Sequence, residues 1–219
     1  MNSKKEKKKN RKNIFKYFVY DFVKWTGALP IILWFRLKCY YESPLAKKKV
    51  KGGALISSNH IGMLDPIIIS VKFWYRRLHM VATKSLFTTK LKNWFFKKIL
   101  CIKIDKENIS IDSYKEIVST LKNNKMVTIF PEGHIANNED NMVDAFKSGV
   151  ILMAKQANVP IVPVYVIKRE KWWHRQKLVV GEPIKLPKEM LSLEELQKYS
   201  EILRNKEIEL YELYKKGMK

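Results

Sequence analysis

The chain has 219 residues, enough for one sizeable core, and its 46% apolar content argues against general disorder. A formal net charge of +22 makes a surface that attracts anions: nucleic acid, anionic lipid headgroups, acidic proteins or phosphate-bearing substrates. The two cysteines, Cys39 and Cys101, are far apart in a Lys-rich chain, which argues against a disulfide framework and for small hydrophobes in a reduced compartment.

Residues 1–12 form a basic tail, and residues 13–45 are expected to be amphipathic and apolar helices that associate with a membrane. No small-residue cleavage site follows the apolar stretch, since Trp34, Phe35 and Arg36 stand there instead. Lys16, Asp21 and Lys24 interrupt the segment, so a transmembrane span is not the expected form. Wound as a helix, Phe15, Phe18, Val19, Phe22 and Trp25 share one side, while Asn13, Lys16, Tyr20, Asp21 and Lys24 share the other. That pattern suits a helix lying in a membrane interface, with Pro30 bending or ending it. The competing reading packs the aromatic side onto the protein's own core.

From residue 46 to 219 a single domain is expected. Short β-rich runs alternate with helical stretches: "ALISSN" (54–59), "HMVAT" (79–83), "CIKI" (101–104), "MVTIF" (126–130) and "IVPVYVI" (161–167) read as strands. Between them, "DPIIISVKFWYRR", "LFTTKLKNWFFKKI", "SIDSYKEIVSTLKNN" and "DAFKSGVILMAKQA" read as helices, the second of them basic and amphipathic. A terminal helix opens at Ser192 and Glu195 in capping-box spacing. The class is α/β, a mixed and mostly parallel sheet flanked by helices, with ligands expected at the carboxyl ends of the strands. No Gly-rich phosphate loop and no metal-ligand spacing is present in the sequence, and no cofactor is expected.

"SSNHIGMLDP" (57–66) places His60 and Asp65 where a strand gives way to a helix. Asp65-Pro66 is a good helix start, with Asp as N-cap and Pro at the first helical position. The same turn can also fold the carboxylate back onto the imidazole. A carboxylate on one ring nitrogen fixes the tautomer and raises the basicity of the other, which can then take a proton from an alcohol. These residues alone leave both readings open.

Further along stand "FPEGHIA" (130–136), after a strand, and "VPIVPV" (159–164), leading into the last strand of the set. His-x4-Asp, then Phe-Pro-Glu-Gly, then Val-Pro-Ile-Val-Pro, in that order and on those elements, resembles the glycerolipid acyltransferase family, most of all the 1-acylglycerol-3-phosphate acyltransferases. "ATKSLF" (82–87), "IKIDK" (102–106) and "FKSG" (146–149) belong to the same likeness. The resemblance implies a membrane-associated, monotopic or peripheral enzyme on the cytoplasmic face. It would move an acyl group from acyl-CoA or acyl-carrier protein to the sn-2 hydroxyl of lysophosphatidic acid, without a covalent acyl-enzyme. His60 then acts as general base and Asp65 orients it, with backbone amides around Pro131 to Gly133 expected to stabilise the oxyanion.

The "FPEG" block is expected to help hold the acceptor through Glu132 and Gly133. Where the family has Thr-Arg after it, this chain has His134-Ile135, and Lys106 replaces the arginine of the upstream block. Isoleucine cannot supply the bidentate grip that arginine gives a phosphate. Either Lys84, Lys106, Lys147 and His134 hold that phosphate, or the lysophospholipid acceptor is a different one. The partners implied are the acyl donor, the acceptor and an anionic membrane surface. A non-catalytic lipid-binding scaffold and a basic nucleic-acid-binding protein compete; the same mixture of aromatics and cations suits a lipid interface, and nucleic acid is not the expected partner.

Overall fold

The computed structural model describes residues 2–105, 109–135, 145–171, 173–187 and 189–217. Its centre is a seven-stranded sheet ordered β1-β7-β6-β2-β5-β3-β4. The strands are β1 (Lys38–Tyr41), β2 (Ala54–Ser58), β3 (Leu78–Thr83), β4 (Cys101–Ile104), β5 (Met126–Ile129), β6 (Ile161–Ile167) and β7 (Lys177–Val180). Every neighbouring pair is parallel except β6 with β7. The mixed, mostly parallel sheet is therefore present, and β6, with every residue buried, is the continuous apolar run expected of a central strand.

Alternation along β2 separates two cores. Leu55 faces a layer made by α4 (Ile111–Lys122), α5 (Gly149–Ala157) and α6 (Leu193–Lys215), whose Ile117, Leu121, Ile151, Met153 and Leu203 are buried there. Ala54 and Ile56 face the other side, toward α2 (Asp65–Lys72) and Phe35 at the end of α1 (Asn2–Phe35). Helix α3 (Lys90–Lys98) packs against α1 and β4. Ser192 and Glu195 form the expected capping box at the start of α6.

Several elements differ from expectation. Helix α1 runs on through Pro30 to Phe35; proline removes one hydrogen bond, and burial of Phe35 in the core, with Ile31 packed against it, holds the last turn. Lys38–Tyr41, inside the stretch expected to be helical, is a strand whose Tyr40 is buried against the C-terminal helix. Helix α2 stops at Lys72, because the following turn delivers Arg76 to the carbonyls of Val50, Gly52 and Asn124. Helix α3 opens only at Lys90, where Thr89 caps it, and α5 only at Gly149. The side chains of Asn13, Phe15 and Lys16 lie outside the described ones.

The orientation of α1 departs from the competing reading, in which its aromatic side packs on the core. Its expected polar side faces the protein: the Tyr20 hydroxyl accepts from the Leu78 amide at 2.9 Å, and Arg77 grips the Asp21 carboxylate with two nitrogens. Its aromatic side faces out, with Phe18, Phe22 and Trp25 about three-fifths exposed. By length and composition Tyr17–Phe35 is apolar enough to cross a membrane. Helix α1 thus turns polar residues inward and aromatics outward.

Candidate active site

β2 and β5 are parallel neighbours with Ser57 opposite Ile129, so the loops leaving their carboxyl ends lie side by side. This register brings His60, just after β2, next to the Phe130–Gly133 turn after β5. The His60 amide donates to Glu132 Oε1 at 3.3 Å across 72 residues of chain. Its ring stacks on Phe130 with centroids 4.2 Å apart.

Asp65 opens α2, but it is not the N-cap; Leu64 holds that position and makes no side-chain cap bond. The carboxylate turns backward instead. Oδ2 lies 2.9 Å from His60 Nδ1 and accepts the amides of Ile61 at 2.7 Å and Gly62 at 2.8 Å. One oxygen thus organises the whole turn, where a division of labour between two oxygens is the simpler expectation. With only 4% of the Asp65 side chain exposed and three partners in place, the imidazole is locked in orientation, and Nδ1 carries its proton toward the carboxylate. Nε2, on the far edge of the ring, is left for a substrate.

His60 lines a cavity of about 700 Å³ walled mainly by apolar side chains, those of α1, α2, β3 and α3 together with Ile117 of α4 and Val150 and Met153 of α5. Val23 and Gly27 of α1 and Phe96 of α3 line it, as do Gly133, His134 and Lys147. The geometry suits a long apolar substrate whose polar end reaches the imidazole. Gly133 has φ +75°, a left-handed turn that favours glycine, and a side chain there would approach Lys147.

The other expected residues divide. Glu132 is buried and holds the His60 backbone; it is a support beneath the imidazole. His134 Nδ1 lies 2.9 Å from the Glu132 carbonyl. Lys84 pairs with Asp105 and is not among the residues lining the cavity. Lys106 lies outside the described residues. Ile135 does line the cavity. Of the amides around Pro131 to Gly133, Pro131 has no hydrogen to give and the Gly133 amide donates to the Phe130 carbonyl at 3.0 Å.

Two supporting residues were not singled out from the sequence. Asn59 is buried and clamps β6, its amide donating to the Val166 carbonyl at 3.0 Å and its carbonyl accepting the Val166 amide at 2.7 Å. Glu207 of α6, fully buried, accepts from the Ser57 hydroxyl at 2.6 Å. Burial pushes its carboxyl well above the usual range, and the charge of Glu132 acts in the same direction; the Ser57 and Asn59 hydrogen bonds oppose them. The signal for Glu207 lay in the spacing of Leu196, Ser200, Leu203, Glu207 and Leu210, an apolar stripe with two polar residues in it.

Cys101 also lines the cavity, and burial pushes its thiol up to about 12, so it behaves as a hydrophobe. Among the described residues no group of three or more His, Cys, Asp or Glu side chains is placed to hold a metal ion.

The comparisons with known proteins agree with this geometry. The family model described as "Acyltransferase" matches residues 36–167. The 1-acyl-sn-glycerol-3-phosphate acyltransferase of Bacillus subtilis is 31% identical over 169 residues, which span 72% of this chain and 79% of that one. The protein of the same name from Saccharomyces cerevisiae is 26% identical over 158 residues, 64% of this chain and 50% of that one. The crystal structure of the 1-acyl-sn-glycerophosphate acyltransferase from Thermotoga maritima matches the fold with a TM-score of 0.63 at 22% identity, covering 91% of this chain and 81% of that one. With its parallel sheet, its His60–Asp65 pair and a family match that spans both the β2 and the β5 loops, the chain belongs to the acyltransferase family of enzymes.

Proposed function

We propose that the protein transfers a fatty acyl group from acyl-CoA or acyl-carrier protein to the sn-2 hydroxyl of lysophosphatidic acid, as the names of its relatives suggest, and that it works at a membrane surface. The observation that carries the chemistry is the 2.9 Å contact between His60 Nδ1 and an Asp65 oxygen, itself held by two loop amides, on a ring that lines an apolar cavity. His60 Nε2 takes the proton of the acceptor hydroxyl as that oxygen attacks the thioester carbonyl. The tetrahedral intermediate collapses, the carbon–sulfur bond breaks, and the imidazolium returns the proton to the departing thiolate. Asp65 keeps the tautomer correct and offsets the charge on the ring. Glu132 fixes the backbone at His60, and the acyl chain lies in the cavity.

On this reading Lys147 and the His134 imidazole, both on the cavity wall, meet the acceptor's phosphate, while Lys84 pairs with Asp105 and lies off that wall. Ile135 on the cavity wall supports a second reading, a lysolipid acceptor without a phosphate monoester. Purified protein supplied with labelled donor and matched lysolipids, with and without the phosphate monoester, separates the two. Diacyl product from lysophosphatidic acid that disappears in His60→Ala supports the first. Preference for the phosphate-free acceptor overturns the acceptor assignment, and undiminished turnover in His60→Ala overturns the mechanism.

A further inference from the structure

Helix α3 has an apolar stripe that the protein covers only at Phe95, which also lines the cavity. Leu91, Trp94 and Phe95, at i, i+3 and i+4, share one face, and they are 74%, 51% and 37% exposed. No residue of α3 is buried. Lysines at 90, 92, 97 and 98 surround the stripe, and none pairs with a carboxylate among the described residues. A helix of this kind, standing in water, would leave large apolar groups hydrated for no structural gain.

The helix adjoins α1, since the two pack on each other. Both also wall the cavity that reaches His60. Trp74, from the turn after α2, stands against Trp25 of α1 with centroids 6.2 Å apart, and both are more than half exposed. We infer that α3 is a second membrane-contact element, which seats on an anionic phospholipid bilayer beside α1, so that the cavity both helices line meets the lipid phase. The inference rests on the membrane reading given above and adds a surface that α1 alone does not supply. Charge complementarity names the occupant: an acid-free, lysine-rich helix with a tryptophan on its apolar face fits anionic headgroups around an interfacial aromatic. A lysolipid then reaches the imidazole from the bilayer without crossing water.

The test is flotation of the full chain with vesicles of phosphatidylglycerol and phosphatidylcholine in equal parts, comparing wild type with Leu91→Glu/Trp94→Glu. Neither residue lines the cavity. The double variant is expected to partition at least about tenfold less, while melting as the wild type does and turning over a water-soluble short-chain acceptor at the same rate. Leu91→Ser/Trp94→Ser, which adds no charge, should move partitioning in the same direction. Wild type is expected to bind pure phosphatidylcholine vesicles more weakly. Unchanged flotation of the variants, equal binding to both vesicle types, or a dimer of the free chain that the substitutions abolish, overturns the proposal. Absent turnover of the soluble acceptor by wild type would instead count against the acyltransferase reading, and flotation would still decide the surface.

Discussion

The two sides of the sheet meet their helices in opposite ways. Helix α6 buries Leu196, Leu203 and Leu210 and even takes a carboxyl, Glu207, out of water. Helices α1 and α3 leave Phe18, Phe22, Trp25, Leu91 and Trp94 exposed and form part of the cavity wall. One layer is closed by protein; the other keeps its aromatics at the surface. The His60–Asp65 pair follows β2, its backbone anchored through Ser57 to α6 and through Asn59 to β6, and its ring lines the cavity.

The strongest way to probe that division is to remove chemistry and leave both layers intact. His60→Ala should lower turnover by about 10²- to 10⁴-fold, the usual contribution of a positioned base, with the thermal transition unmoved; steady-state kinetics and calorimetry together check this. Next in size is a matched pair of truncations. Leu203→Ala on the closed side should cost about 2–5 kcal/mol in unfolding free energy, whereas Leu91→Ala on the open side should stay within about 0.5 kcal/mol. Equal losses in urea titrations would erase the comparison.

A third substitution works within the open layer. A side chain at Gly27 would meet nothing within 4 Å and would project from a cavity-lining position. Gly27→Leu should therefore reduce use of long-chain donors by about tenfold relative to short-chain ones, read as a ratio of kcat/KM values. Glu207 gives the smallest and most specific effect. Its carboxyl stays protonated in the fold above the ordinary value of 4.5. In that window the folded state binds more protons than the unfolded one, so stability falls as pH rises. Glu207→Gln keeps an acceptor for Ser57 and cannot ionise, so its Tm should decline less between about pH 5 and pH 8 than that of wild type. Parallel curves would show that Glu207 titrates normally.

Legibility followed distance along the chain. The capping box at Ser192 and the pairing of His60 with Asp65 are contacts within one turn, so local spacing was enough to propose them. The role of Asp65 as N-cap failed for a related reason: the loop amides of Ile61 and Gly62 compete for its carboxylate, and propensity does not weigh that competition. β1 was missed because it lies in the aromatic-rich stretch read as helical, and β7 because it follows the last of the strand–helix alternations that the apolar runs mark out. Lys84 looked like a phosphate ligand by motif position, yet Asp105 holds it and the cavity passes it by.

The sequence by itself determined the alternation that makes a parallel sheet, the turn that binds imidazole to carboxylate, and the amphipathic character of α1 and α3. Which side of α1 faces the protein was decided only in three dimensions, because helical periodicity says that a helix has two faces and not which of them the rest of the chain will cover. The same holds for Glu132 beneath His60, for Glu207 behind Ser57 and for the cavity. Each depends on strand register between segments far apart in the chain, and register is set by the packing of the whole sheet.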